Sequence, residues 1–214
     1  MSRRANAASR CEHCRMHAAL CLCSLVPELK TSTRLVLLVH KDEVNKPTNT
    51  GLLAARCLPN SVVVVVGGPY DVVPLANGAG ALMLFPAPQA RALSVTDAPA
   101  TLFVPDGTWR QARKIRSRHA ALAALPCVTL PPGPPTQYLL RTEGRAGGLS
   151  TLEAIARAFG ILEGAEVQER LLMMQRVMVE RTLWLRGALR DHELTDGLPE
   201  AARWHDPRGG LPRR

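Results

Sequence analysis

The segment that decides the fold runs from Thr101 to Trp109 and reads TLFVPDGTW, an apolar run that turns abruptly into a helical pattern. A proline and a glycine flank Asp106 and favour a turn at that point. Thr108 and Gln111 have the spacing of a capping box, which opens a helix. The pattern therefore predicts that Asp106 lies at the carboxyl end of a strand and beside a helix N-terminus. Open α/β sheets bind their ligands at that position.

Two interpretations of these side chains are open from the spacing alone. In the first, Asp106 is a functional carboxylate and Trp109 provides a flat apolar surface beside it. In the second, Asp106 and Thr108 only cap the helix, and Trp109 belongs to the core. Both interpretations place a strand, a turn and the start of a helix here.

The apolar segments on either side of this turn predict an α/β fold with a mainly parallel sheet and flanking helices. Strands are predicted at 34–40, 61–67, 81–85, 101–104 and 127–130, and helices at 47–58, after Trp109, after Ser150 and at 165–186. The strand segments are continuously apolar rather than alternating, which is typical of a sheet covered on both faces. Such sheets are mainly parallel and have helical crossovers.

The predicted helix after Trp109 carries a basic stripe. Arg110, Lys114 and Arg118 recur every fourth residue and so share one face of the helix. A stripe of this kind is usually a solvated surface. Because it begins beside the proposed site, a role in gripping phosphates is an equally good interpretation.

Four cysteines near the start of the chain predict a metal site. Cys11, Cys14, Cys21 and Cys23 lie within thirteen residues. Four thiolates satisfy tetrahedral zinc, and a site filled entirely by protein ligands is structural rather than catalytic. His13 and His17 are close enough in sequence to be substitute ligands.

Length and charge narrow the class of protein. The chain has 214 residues and a net charge of +9, which suits one domain with a polyanionic partner such as nucleic acid. No apolar run reaches the length of about 18 residues that a membrane span needs, and the basic start has no apolar segment typical of a secretory signal. We therefore expect a cytoplasmic protein with no membrane partner. The absence of GxGxxG and Walker A motifs argues against dinucleotide and ATP binding.

The sequence Asp-Gly-Thr-Trp from Asp106 to Trp109, followed by RQARK, resembles the signature of the DTW-domain family, the tRNA-uridine aminocarboxypropyltransferases. Further stretches that resemble the family are HKDEVNKPTNTG at 40–51, YLLR at 138–141, LSTLEA at 149–154 and the four cysteines. Together these stretches cover the chain from about residue 11 to residue 189.

The resemblance implies a reaction and a fold. The reaction moves the 3-amino-3-carboxypropyl group of S-adenosylmethionine to N3 of a uridine in the tRNA variable loop, with methylthioadenosine as the second product. The fold implied is similar to that of SPOUT-type RNA enzymes, which are knotted in their carboxyl-terminal region. The domains are then a basic tail and zinc-binding module at 1–30, a catalytic domain at 31–190 and a flexible tail at 191–214.

The resemblance also suggests roles for individual residues. Asp106 is expected to act as a base or a positioning group, Thr108 to orient it or bind the cofactor, and Trp109 to stack on the adenine of the cofactor or on a base of the RNA. Residues expected at the S-adenosylmethionine site are His40, Asn49, Thr50, Gly51, Arg141, Leu149, Ser150, Thr151 and Glu153.

Two other functions remain open at this stage. One is an S-adenosylmethionine-dependent RNA methyltransferase of similar fold, which only the product distinguishes. The other is a non-catalytic zinc-binding and RNA-binding protein, in which Asp106 and Ser150 are merely helix caps. The sequence leaves the choice between monomer and homodimer undecided.

Overall fold

The computed structural model describes residues 10–68, 71, 80–140 and 148–203. Its centre is a six-stranded sheet in the order β2-β1-β5-β3-β6-β4. The strands are β1 (Arg34–His40), β2 (Ser61–Val66), β3 (Ala81–Leu84), β4 (Arg91–Ala92), β5 (Thr101–Asp106) and β6 (Cys127–Thr129). All neighbouring strands are parallel. The predicted α/β class with a mainly parallel sheet is therefore confirmed.

Strand β5 extends two residues beyond its predicted end at Val104. Its last residues pair with β1, with Pro105 opposite Leu38 and Asp106 opposite Val39. The pairing with β3 on the other side ends at Phe103. Pro105 lacks an amide hydrogen, and it is tolerated in a central strand because only one neighbouring strand is present at that level.

The helices lie on both faces of the sheet. They are α1 (Thr50–Cys57), α2 (Trp109–Arg118), α3 (Ala120–Ala123), α4 (Thr151–Glu163) and α5 (Ala165–Leu185). One core cluster contains Leu35, Leu37 and Val104 together with residues of α1, α4 and α5. The other contains Val36 and Phe103 together with residues of α2 and α3. Alternate side chains of β1 thus face opposite layers, as the strand geometry requires.

Two features of the sheet differ from the prediction. Strand β4 was not predicted, because Arg91 and Ala92 are both exposed and carry no apolar signal. The edge strand β2 is not covered on both faces, since Val63 and Val65 are 42% and 50% exposed. Continuous valine reflects β propensity here as well as burial.

The prediction of a flexible tail from residue 191 is wrong for residues 191–203. Leu194 and Ala202 are buried in a small core cluster with Leu20 and Trp184. The Trp184 indole Nε1 also donates a hydrogen bond to Asp191 over 2.8 Å. Leu194 and Ala202 were not predicted as core residues because the sequence of this segment is rich in Gly, Pro and Arg. Residues 204–214 lie outside the described part of the chain.

The cysteine-containing segment packs on the α/β domain. Met16 and Leu22 belong to the same core cluster as the sheet residues. The buried Arg181 of α5 donates to the backbone carbonyls of Leu20 and Cys21, at 3.3 and 2.6 Å. Among the described residues, no helix is long and apolar enough to cross a membrane.

Candidate functional site

Asp106 is the point at which the ends of three elements meet. Its side chain is buried, at the carboxyl end of β5. The Asn49 Nδ2 atom donates to Asp106 Oδ2 over 2.6 Å, and the Thr151 hydroxyl donates to Asp106 Oδ1 over 2.5 Å. Asn49 is the N-cap of α1 and Thr151 is the first residue of α4. The carboxylate therefore joins the N-termini of two helices to the end of a central strand.

Gly51 allows this close approach. A Cβ atom at Gly51 would lie 3.0 Å from Asp106 Cγ and 3.1 Å from Thr151 Cγ2. Both distances are shorter than ordinary van der Waals contacts, and the atoms concerned are themselves held by hydrogen bonds. Only glycine lets α1 pack this tightly against the carboxylate. Gly51 thus supports the site from behind and does not line it.

A second buried network holds the start of α4. Ser150 is its N-cap, and the Ser150 hydroxyl donates to Gln175 Oε1 of α5 over 2.5 Å. Glu153 is 3% exposed and accepts hydrogen bonds from the Ser150 amide, the Thr136 hydroxyl and the Gln137 amide. Ser150 and Glu153 form a capping box at the start of α4, so Ser150 does cap the helix. Glu153 also holds Thr136 and Gln137 against the start of α4.

A cavity of about 450 Å³ opens beside Asp106, at the carboxyl edge of the sheet. We call it the central cavity. Eight residues predicted for the site line it: Asn49, Thr50, Asp106, Thr108, Trp109, Leu149, Ser150 and Thr151. Its apolar walls include Leu84, Phe85, Val128, Leu130 and Ala154. The volume and the mixture of apolar walls with a few polar groups are typical of small-molecule sites.

Trp109 lies at the border of this cavity. It is the first residue of α2 and its side chain is 40% exposed, so the interpretation of Trp109 as a core residue is wrong. Thr108 does form the predicted capping box, since its amide donates to Gln111 Oε1 over 2.7 Å and its hydroxyl accepts from the Gln111 amide over 3.3 Å. The turn at Thr108 therefore both caps α2 and lines the central cavity.

The structure does not bring every predicted residue into the central cavity. His40 lies on the opposite side of the turn, where its Nδ1 atom is 3.1 Å from Gln111 Nε2. Gly51 and Glu153 are buried behind the lining. Arg141 lies outside the described residues. The cavity is thus built from fewer cofactor-site candidates than the sequence suggested.

Three important residues were missed. Glu43 is 4% exposed, lines the central cavity and forms an ion pair with Lys46 over 2.5 Å. Tyr138 also lines the cavity, and its hydroxyl donates to the Thr48 carbonyl over 3.0 Å. Gln175 accepts the hydrogen bond from the Ser150 hydroxyl. The available signals were the positions of Glu43 and Tyr138 in family-like stretches, and the polar Gln175 between the apolar residues Met174 and Val177 of α5.

A second cleft of about 380 Å³ lies on the other side of the turn. We call it the basic cleft. Its charged and titratable lining residues are His40, Asp42, Asp71, Arg110, Lys114, Arg118 and His119. Thr108 lines both the basic cleft and the central cavity, so the two are adjacent.

The four cysteines form a group that fits a tetrahedral metal ion. Their sulfur atoms all lie within 4.8 Å of one another. The Cys11–Cys23 and Cys14–Cys21 sulfur distances are 3.7 and 3.8 Å. Four sulfurs at about 2.3 Å from a tetrahedral metal ion such as zinc would be about 3.8 Å apart, which is the spacing of these two pairs. Cys11, Cys14, Cys21 and Cys23 could therefore hold a metal ion.

Neither neighbouring histidine belongs to this group. His17 instead accepts a hydrogen bond from the Ala19 amide and caps a short 3-10 helix. The basic residue beside the sulfurs is Arg56 in the last turn of α1, whose Nη2 atom is 3.2 Å from Cys23 Sγ. Burial acts to lower the pKa of Arg56, but the contact with Cys23 and the nearby thiols raises that pKa above its usual value. A guanidinium at this position suits a negatively charged thiolate cluster.

The thiol groups differ in their pKa. Backbone hydrogen bonding, chiefly from Cys14, lowers the pKa of Cys11 to about 6. Burial raises the pKa of Cys21 to about 12. Burial also raises the pKa of Cys57, which lies in α1 outside the cluster, to about 12. Cys57 is thus a buried and unreactive thiol.

Comparisons of the sequence with known proteins identify its family and several relatives. The family model described as "DTW domain" matches residues 8–183. The chain is 31% identical over 206 residues to "tRNA-uridine aminocarboxypropyltransferase 2" of Macaca fascicularis, covering 88% of this chain and 69% of that protein. The Mus musculus protein of the same name is 31% identical over 177 residues, covering 76% of this chain and 59% of that protein. The Drosophila melanogaster protein of the same name is 30% identical over 171 residues, covering 74% of this chain and 68% of that protein.

The chain therefore spans between 59% and 69% of the length of these three relatives. No solved structure matches it. The family match covers most of the chain and includes the cysteine group, the turn at Asp106 and the start of α4. The chain belongs to the DTW domain family.

Proposed function

We propose that this protein transfers the 3-amino-3-carboxypropyl group of S-adenosylmethionine to N3 of a uridine in the tRNA variable loop. The names of the relatives support the reaction class. The observation that carries the proposal is the central cavity, which the family-like segments at Asn49, Asp106 and Ser150 build together. Its position at the carboxyl edge of a parallel sheet is where such folds bind ligands.

The reaction forms one bond and breaks another. Uridine N3 attacks the carbon of the aminocarboxypropyl chain that is attached to the sulfonium. The carbon–sulfur bond breaks, its electron pair stays on sulfur, and neutral methylthioadenosine leaves. The proton on N3 must pass to an acceptor. Because the sulfonium activates all three attached carbons, the protein selects among them by position.

Asp106 serves as a positioning residue in this proposal. Each of its carboxylate oxygens already accepts a hydrogen bond, from Asn49 and from Thr151. Its position at the N-termini of α1 and α4 suits a permanent negative charge. Asp106 therefore holds the cavity wall in shape rather than removing the proton.

Glu43 is the better candidate for the proton acceptor. Its carboxylate lines the same cavity, and its Oε1 atom is paired with Lys46. Its Oε2 atom has no hydrogen-bond partner among the described residues. A buried carboxylate with one oxygen available has the arrangement expected of a general base.

Trp109 and the apolar walls hold the flat parts of the substrates. An aromatic ring that is 40% exposed beside a cavity can stack on the adenine or on the uracil without first leaving the core. Thr108 adjoins it and contributes a hydroxyl at the cavity edge. The other predicted residues, Asn49, Thr50, Ser150 and Thr151, present polar groups from the ends of α1 and α4.

The zinc ion, the fold type and the location complete the proposal. The four cysteines hold a structural zinc ion, because four sulfur ligands leave no position for a substrate. The fold is of the SPOUT type, and an experimental structure that traces residues 131–150 tests whether it is knotted there. The protein acts in the cytoplasm, where thiols stay reduced and tRNA is present.

The test is an incubation of purified protein with S-adenosylmethionine and unmodified tRNA, followed by mass analysis of nucleosides and small molecules. A uridine carrying an aminocarboxypropyl group, together with methylthioadenosine, is the expected result. A methylated base with S-adenosylhomocysteine would make the protein a methyltransferase. tRNA binding without any product would make it a binding protein.

A further inference from the structure

The basic cleft adjoins the central cavity but has a different character. It lies between the end of β1 and one face of α2, and Thr108 separates it from the cavity. The side chains of Arg110, Lys114 and Arg118 are exposed along it. Its lining contains no Trp, Tyr or Phe, in contrast to the central cavity with Trp109. The cleft thus offers positive charge without a stacking surface.

The three cations form no ion pair with any described residue. The two acidic residues of the cleft are paired with groups other than these cations. Asp42 pairs with His40, and Asp71 accepts hydrogen bonds from the Gly67 and Gly68 amides and lies 3.9 Å from His119 Nε2. Like charges four residues apart on a helix repel each other and destabilise it slightly, so the stripe carries a small cost in stability. An anionic ligand would offset that cost.

We propose that the basic cleft binds backbone phosphates of the RNA strand adjacent to the nucleotide that enters the central cavity. The proposal rests on the proposed function, since it assigns the part of the polynucleotide that lies outside the cavity. Successive cations of the stripe rise about 6 Å along the helix axis, so the stripe spans about 12 Å. It begins at the residue after Trp109. The tryptophan and the cavity therefore hold a base, and the stripe holds the phosphates that follow it.

This arrangement would let the protein distinguish a polynucleotide from a free nucleoside. A nucleoside has no flanking phosphates and would use the central cavity alone. Contacts between cations and phosphates release counterions, which makes such binding strong at low salt and weak at high salt. The substrate class is then a single strand or loop of RNA with phosphates on at least one side of the target uridine.

The first experiment compares two charge-matched double variants. Lys114→Ala with Arg118→Ala removes two cations that line the basic cleft and not the central cavity. Arg170→Ala with Arg176→Ala removes two exposed cations of α5 that line neither. Binding to unmodified tRNA is measured without S-adenosylmethionine over a series of salt concentrations. All four positions are exposed, so a denaturation curve serves as the check on folding.

The expected result is a loss of about tenfold or more in tRNA affinity for the cleft variant. The slope of log affinity against log salt should fall by about one for each phosphate contact removed. The α5 variant should keep the wild-type slope. Equal affinities and slopes for the cleft variant and the wild type would overturn the inference.

The second experiment locates the phosphates. Uncharged methylphosphonate linkages are placed one at a time beside the target uridine, and each RNA is combined with wild-type protein and with the cleft variant. A linkage that weakens binding to the wild type but not to the variant identifies a phosphate held by the stripe. Additive effects at every linkage would overturn the inference.

These outcomes separate the inference from the proposed function. Normal product formation, with the same salt slope for the cleft variant and the wild type, would refute the phosphate-binding role of the basic cleft and support the transferase. Salt-dependent RNA binding through the cleft without any product would support the role of the cleft and refute the transferase. Wild-type protein that binds no RNA at all would refute both proposals.

Discussion

Asn49 Nδ2 and Asp106 Oδ2 lie 2.6 Å apart, so the residue that caps α1 is bonded to the last residue of β5. The same Asn49 side chain accepts the Leu52 amide over 2.7 Å through its Oδ1 atom. One asparagine thus fixes both the start of the helix and the position of the carboxylate. The stability of this end of the sheet should depend strongly on that pair.

We expect Asp106→Ala to lower the free energy of unfolding by about 2 to 3 kcal/mol, because it leaves the buried Asn49 amide and Thr151 hydroxyl without their acceptor. Urea denaturation measures the change. Asp42→Ala is the control, since the Asp42 side chain is 61% exposed and its removal should change stability by less than about 0.5 kcal/mol. Equal effects of the two substitutions would contradict the proposed positioning role.

Glu43→Gln should lower the rate of group transfer by about a hundredfold or more while leaving tRNA affinity unchanged, because it removes the proposed proton acceptor. Single-turnover kinetics measures the rate. Lys46→Met is the matched control, because it breaks the same ion pair and keeps the carboxylate. If the Lys46 variant were as slow as the Glu43 variant, the ion pair rather than the base would explain the loss.

Trp109→Ala should weaken substrate binding by about 1 to 3 kcal/mol, the range for loss of one aromatic stacking contact, with little change in stability. Trp109→Phe should retain most of the affinity. Titration of S-adenosylmethionine and of tRNA shows which of the two stacks on the ring. Trp184→Phe is the control, because Trp184 is 1% exposed and lies away from the cavity. This substitution should lower stability without weakening substrate binding. A Trp109→Ala variant that binds both substrates normally would exclude stacking.

Metal analysis of purified protein should find about one zinc ion per chain, and Cys23→Ser should lose it. Cys57→Ala should keep the zinc, because Cys57 lies outside the sulfur cluster. In the native protein, a chelator should make the four clustered thiols reactive to alkylation. Cys57 should stay protected until the chain unfolds, since burial raises its pKa to about 12. Full zinc content in the Cys23 variant would show that the metal lies elsewhere.

All the strands except β4 were predictable because they are continuous apolar runs, and the turn at Asp106 was predictable because Pro, Gly and a capping box coincide there. The partners of Asp106 could not be read in the same way. Asn49 is 57 residues away and Thr151 is 45 residues away, and no local pattern records such contacts. Resemblance to a family placed both residues near the site but could not say which atoms meet.

His40 shows where local reasoning failed. It ends β1, so it lies at the carboxyl edge of the sheet. The side chain lies on the side of the edge occupied by α2 rather than by α4, which brings it to Gln111. The alternation of side chains along β1 decides which face of the sheet His40 points to. Only the packing of the helices decides which face holds the central cavity. Glu43 was missed because a charged residue in a turn is usually solvated.

The junction at Asp106 also joins parts of the chain that are synthesised at different times. The residues of β1, β5, α1 and α2 all lie within the first 118 of the chain. The hydroxyl of Thr151 and the wall formed by Leu149 and Ser150 come later in the chain. A growing polypeptide therefore contains the residues of most of the sheet before it contains those that complete the central cavity. A chain that ended before residue 150 would lack the Thr151 hydroxyl and part of the cavity wall, so we expect such fragments not to compete with the finished protein for substrate.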